Sequence, residues 1–147
     1  MTGGPQGSEP ADRRPEGGGG LHLSVDHSPF HRLIGLRLVR ARDGEVEMRL
    51  PWQEPLGRAD HSDWYHGGVL SALIDIAGDY AIASKVGRRV ATIDLRVDYL
   101  RPALKGDLVA TARAVKIGRT VGVADVELRD GKGALVAIGR ATYSTSG

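Results

Sequence analysis

Two carboxylates, Asp75 and Asp79, interrupt the most apolar stretch of this chain, HGGVLSALIDIAGDYAIAS at residues 66–84. With Ser71 they fall at i, i+4 and i+8, so on a helix the three polar groups share one face. The stretch opens on His66, Gly67 and Gly68. The first N–H groups of a helix lack partners and the dipole there favours negative charge, so this end is suited to polarising a carbonyl oxygen. The two glycines leave the backbone open to an approaching molecule. A carboxylate about two turns further along can serve as a base or as a nucleophile. The pattern therefore suits attack on an activated carbonyl, with the carboxylates turned toward a site or an interface and away from the core.

The remaining residues must position that helix. SPFHRLIG offers Ser28 as an N-cap and Pro29 at the first helical position, predicting a short helix that ends near Gly35. Asp43-Gly44 is a two-residue hairpin signal, and Val46, Met48 and Leu50 alternate with Glu45, Glu47 and Arg49 after it. Residues 51–65 read as a loop. The helix over 66–84 is about 28 Å long and stops before Gly87. In ATIDLRVDYLRP the alternation predicts that Ile93, Leu95, Val97 and Tyr99 face one way and Thr92, Asp94, Arg96 and Asp98 the other. DLVATARAVKIG, TVGVADVELRD and ALVAIGRATYST supply three further strands. Short turns between strands predict antiparallel neighbours. Val69, Leu73, Ile76 and Tyr80 lie on one flank of the helix and Leu70, Ile74, Ala77 and Ala81 on another, so the sheet should curl around it as an α+β layer.

Composition narrows the function. A chain of 147 residues, 41% hydrophobic and 26% charged, fits one globular domain. The net charge of +2 is too small to point to nucleic acid, and no stretch is long and uncharged enough to span a membrane. The absence of cysteine excludes disulfide and thiolate chemistry and fits a cytoplasmic location. Residues 1–20 are nearly all Gly, Pro and polar groups with no apolar run, which predicts a disordered tail without a signal peptide. His22, His27 and His31 lack metal-like spacing with a carboxylate, and neither a metal nor a cofactor is expected.

The SPFHRLIG entry, HGGVLSALIDIAGDYA, the strand ATIDLRVDYLRPA, the KIGRTV turn and the closing ALVAIGRATYST occur in an order that resembles the hotdog-fold acyl-CoA thioesterases, nearest to their PaaI-like (phenylacetyl-CoA) branch. The likeness covers about residues 28–145 and implies a single hotdog domain over 21–147, its long central helix wrapped by a curved antiparallel sheet. It also implies dimers joined edge to edge, or dimers of dimers, with active sites at the subunit interface and an aryl- or fatty-acyl-CoA as substrate.

By that resemblance Asp75 activates water or itself attacks the thioester, and the Gly67 N–H polarises the carbonyl beside Gly68. Thr92 is the counterpart of a hydroxyl that approaches the water. Gly118, Arg119 and Thr120 form a CoA-contacting turn. Asp60 stands where the family commonly has an amide, with His61 beside it as a supporting residue. His66 either bonds backbone at the helix start or takes part directly. Asp79 either shares the pocket with Asp75 or pairs across the dimer interface. Two other readings use the same fold: a CoA hydratase or dehydratase, and a non-catalytic acyl-CoA sensor.

Overall fold

The computed structural model describes residues 23–147; the tail expected over residues 1–20 lies outside the described residues. In chain order the elements are α1 (Pro29–Ile34), β1 (Arg37–Arg42), β2 (Glu45–Leu50), a 3-10 turn (Glu54–Leu56), α2 (Gly67–Val86), β3 (Ala91–Tyr99), β4 (Leu108–Ile117), β5 (Val121–Arg129) and β6 (Leu135–Ser144). Ser28 caps α1 through its side chain, and Gly35 ends it in the left-handed region at φ 74°. Asp43 and Gly44 both take positive φ, 51° and 85°, as a type I′ hairpin turn requires. α2 ends where Gly87, at φ 75°, donates its N–H to Ala83 O.

The six strands form one sheet in the order β1-β2-β4-β5-β6-β3, with every pair antiparallel. One connection departs from the expected run of short turns: β3 pairs with β6, and β4 lies on the far side of β5. The segment between β3 and β4 is drawn instead to the approach to α2. Ala103 O accepts from Tyr65 N at 2.9 Å, and Lys105 N donates to Asp63 O at 2.7 Å. Pairing with that loop replaces a hairpin and leaves β3 as an edge strand.

α2 lies across the concave face of the sheet. Leu73, Ile74, Ala77, Ala81 and Ile82 are fully buried and join one core with Met48, Leu50, Leu108, Leu128 and Tyr143. Burial runs nearly all round the helix, as its sequence predicts, and Asp75 and Asp79 are half-buried between buried neighbours. Among the described residues no helix is long and apolar enough to cross a membrane.

The alternation read in β3 breaks at Ile93. Thr92 pairs with Tyr143 and Asp94 with Thr142, so Ile93 is the extra residue of a β-bulge. Residues opposite each other in an antiparallel pair point to the same face. Thr92 therefore shares the helix-facing side with Leu95 and Val97, not the outer side with Asp94. Ile93 and Tyr99, expected on the apolar face, are 58% and 55% exposed.

Helix and sheet pack closely at Gly78, where an added Cβ would overlap the hydroxyl of Tyr143. In an open helix Ala is preferred to Gly by about 1 kcal/mol. Here the sign reverses, because overpacking a closed contact costs about 1–3 kcal/mol. Gly78→Ala should lower the thermal unfolding midpoint measured by circular dichroism; a midpoint equal to or above wild type would show that the contact yields easily.

Candidate active site

Asp75 is held from two strands. Thr92 Oγ1 donates to Asp75 Oδ1 at 2.7 Å, a short, charge-assisted bond that the β3 bulge makes possible. Tyr143 Oη donates to the backbone carbonyl of the same residue at 2.8 Å. The tyrosine is completely buried, and burial pushes its phenol pKa up, so it remains a donor throughout the physiological range. Oδ2 of Asp75 has no hydrogen bond to any described residue, and a lone pair on that oxygen is available to a water or a carbonyl carbon.

The helix start is arranged differently from a free N-terminus. His66 is the N-cap, its Nδ1 accepting from Gly68 N at 2.9 Å. That bond occupies one ring nitrogen and leaves the Gly67 N–H as the uncapped donor at the end of the helix. Tyr99 Oη donates to Gly67 O at 3.0 Å, and its ring lies against the glycine, tying the helix start to the far end of β3. Neither tyrosine tie was among the residues singled out from sequence. Both come from strand positions whose alternation marks them only as apolar-facing.

Gly67 and Asp75 are eight residues apart on one helix, which sets them about 12 Å apart along its axis. A carbonyl oxygen on the Gly67 N–H would sit within about 3 Å of that nitrogen. One aspartate side chain cannot bridge the rest. Within a single chain the donor and the acid do not meet on the same carbonyl.

The other predicted residues are spread out. Asp60 is exposed on the loop before α2 and makes no hydrogen bond to a described residue, while His61 beside it sits at φ 57°. Gly118, Arg119 and Thr120 form the turn between β4 and β5, with Arg119 and Thr120 exposed. Thr145 braces this turn, its hydroxyl donating to Gly118 O at 2.7 Å and its N–H to Thr120 O at 2.9 Å. Gly122, just beyond it, packs on Ile82, so the turn lies toward the C-terminal half of α2 and away from Gly67.

Asp79 lies one turn beyond Asp75. Its carboxyl is pushed up to about 7, first by burial, second by the like charge of Asp75, and against the pull of Arg89. Among the described residues it has no hydrogen bond or ion pair. It lines a cavity of about 380 Å³ that also takes in His27, His31, Tyr80, Arg89 and Val90. Sequence spacing could not assemble this group, because its members come from three separate segments.

Residues 65–137 match the Thioesterase superfamily. Protein VNG_1336C of Halobacterium salinarum is 40% identical, the match covering 81% of this chain and 85% of that protein. The medium/long-chain acyl-CoA thioesterase YigI of Salmonella typhimurium is 33% identical, covering 82% and 88%. The solved structure of the Escherichia coli PaaI protein, from the phenylacetic acid degradation operon, superposes with a TM-score of 0.75 at 25% identity, covering 83% of this chain and 87% of that one. With the wrapped helix and its six-stranded sheet, these likenesses place the chain in the thioesterase superfamily, as a thioester hydrolase of the hotdog fold.

Proposed function

We propose that the substrate is an acyl-CoA, with an aryl or fatty acyl group, and that Asp75 is the general base of its hydrolysis. The observation that carries this reading is the Thr92–Asp75 bond, which fixes one carboxylate oxygen and leaves the other uncommitted. Asp75 Oδ2 takes a proton from water as the water oxygen bonds to the thioester carbon. Negative charge collects on the former carbonyl oxygen, where the Gly67 N–H stabilises it. The carbon–sulfur bond then breaks, leaving the free acid and CoA as its thiolate, which takes up the proton. The printed name of YigI, a medium/long-chain acyl-CoA thioesterase, supports this substrate class.

The helix geometry supports a homo-oligomer, at minimum a dimer. Because Gly67 and Asp75 of one chain are too far apart, each site takes its donor from one copy and its base from another. β3 suits the joint, since it is an outermost strand with exposed Ile93 and Tyr99 and an unpaired row of backbone groups. In this arrangement Asp60, on the loop leading to Gly67, arrives with the donor half and faces the base of the other copy. No nucleic acid or membrane has a part in this reading.

Mixing two inactive variants tests the arrangement. Asp75→Asn should lose most thiol release, and Gly67→Val should lose it by obstructing the donor. Refolded together in equal amounts, half the dimers are mixed, and each mixed dimer has one intact site. The mixture should regain about a quarter of wild-type activity. A mixture as inactive as its components would contradict the shared site.

Asp60 stands where an amide could donate, and an ionised carboxylate only accepts. Asp60→Asn should be tolerated near neutral pH and faster at low pH, read from kcat/KM against pH for a single acyl-CoA. Profiles that superimpose in shape and height would make Asp60 a bystander.

Asp79 predicts a stability effect of definite sign. Its pKa is raised from an ordinary 3.8 to about 7, so between those values the folded chain holds a proton that the unfolded chain has lost. The stabilisation is complete below about 4 and disappears as pH rises through about 7. Asp79→Asn, neutral at every pH, should therefore melt close to wild type at pH 4 and above it at pH 8. An equal difference at both pH values would mean that the carboxyl titrates normally.

A further inference from the structure

The free edge of β3 carries both a backbone pattern and a charge pattern. Leu100 N donates to Val136 O at 2.9 Å, so alternate residues back along the strand, Asp98, Arg96 and Asp94, turn their backbone groups toward β6. Leu95, Val97 and Tyr99 turn theirs toward the free edge. The side chains of Asp94, Arg96 and Asp98 lie on the outer face of the sheet, away from α2. Arg96 stands opposite Arg140, whose guanidinium is taken up by Asp125 at 2.6 Å and 2.9 Å. Among the described residues Arg96 has one ion pair, with Asp98 of its own strand at 3.3 Å, and Asp94 has none.

A second copy related by a two-fold axis extends the sheet antiparallel. Residues whose backbone groups point the same way must face each other, so the axis passes through a residue of β3, with Leu95, Arg96 and Val97 as the central positions. An axis at Arg96 sets that arginine against its own copy and Asp94 against Asp98. An axis at Leu95 sets each Asp94 opposite the Arg96 of the other copy, and one at Val97 sets each Arg96 opposite Asp98. Opposite charges facing each other across an antiparallel pair stabilise it, and like charges do the reverse. The shared site separates the two arrangements that remain. Tyr99 touches Gly67, and Thr92 bonds to Asp75. With the axis at Leu95, Tyr99 falls opposite Ala91 of the other copy, beside Thr92. With the axis at Val97 it falls opposite Leu95, about 7–10 Å along the strand from Thr92.

We infer that two copies join along β3 with the two-fold axis at Leu95, so that Arg96 of each copy pairs with Asp94 of the other. This rests on the reading in which Gly67 and Asp75 of different copies act on one carbonyl. Leu95 is the midpoint of the strand Ala91–Tyr99, so this register pairs β3 along its whole length. On the inner face Leu95 meets its own copy beside the helices, and on the outer face the two Arg96–Asp94 pairs flank the axis. Arg96 exchanges a contact within its own strand for one that crosses the joint.

The chain has no cysteine, so introduced thiols report the register directly. Asp94 and Arg96 would form a non-hydrogen-bonded pair, whose Cα atoms stand about 4.5 Å apart, within disulfide reach. Asp94→Cys and Arg96→Cys, refolded as an equal mixture and oxidised with diamide, should give a covalent dimer on a non-reducing gel, and neither variant alone should. Asp94→Arg and Arg96→Asp should each raise the dimer dissociation constant at least about tenfold in sedimentation equilibrium, and the double variant should recover the wild-type value. Cross-linking of Arg96→Cys alone, or of Arg96→Cys only when mixed with Asp98→Cys, would overturn the register, as would the absence of a cross-link in every combination. Such a result with normal thiol release from hexanoyl-CoA or benzoyl-CoA leaves the hydrolytic reading standing. The expected cross-link in a protein that releases thiol from neither compound upholds the joint and sinks the reading of Asp75. Loss of both the cross-link and hydrolysis would overturn both.

Discussion

The hydrogen bond from Thr92 to Asp75 exists only because β3 carries one residue too many at Ile93. Without that bulge the threonine would face outward with Asp94, and the acid would meet only apolar side chains from the sheet. A carboxylate on a helix wrapped by a sheet is costly unless something hydrogen-bonds to it. The bulge supplies the partner at one oxygen and leaves the other exposed to whatever enters. Tyr143 fixes the same turn of helix from β6 through the Asp75 carbonyl, and Gly78 lets that tyrosine come close enough to do so. The side chain and backbone of the acid are thus set by different strands, and packing of the helix on the sheet becomes positional control of one carboxyl group.

The second constraint is the rise of an α-helix. A donor at the helix start and an acid two turns on cannot converge on one atom, however well each is placed. If both act on one carbonyl, as proposed, the site needs more than one copy, and the exposed edge of β3 offers the line along which copies can join. The same helix continues to Asp79, whose raised pKa reflects burial and a like charge one turn away. One stripe of the helix then carries, in order, Gly67 as the proposed clamp, Asp75 as the proposed base and Asp79 as a second half-buried carboxyl.

Much of this was legible in the sequence because it rests on local rules. Ser28-Pro29 and Gly35 bounded α1, Asp43-Gly44 set the first hairpin, and the apolar surface of residues 66–84 required a helix with sheet around most of it. The Asp75 stripe was visible for the same reason, since helical spacing survives any tertiary arrangement. What escaped depended on register or on distance. Strict alternation placed Thr92 on the wrong face because a single inserted residue exchanges the two faces of a strand. β3 was expected beside β4 because the loop before α2 gives no sign in its composition that it will capture residues 103–105. His31 was read only for the absence of metal-like spacing, and sequence distance hid that α1 and the segment before β3 line one cavity with Asp79.

The most direct measurement is a crystal structure of the protein with a non-hydrolysable acyl-CoA, in which a methylene group replaces the thioester sulfur. The ligand's carbonyl oxygen should lie on the Gly67 N–H of one copy and its carbonyl carbon should face Asp75 Oδ2 of another, with Thr92 still bonded to Oδ1. A carbonyl contacted by Gly67 and Asp75 of the same chain, or one bound away from both, would contradict the shared site.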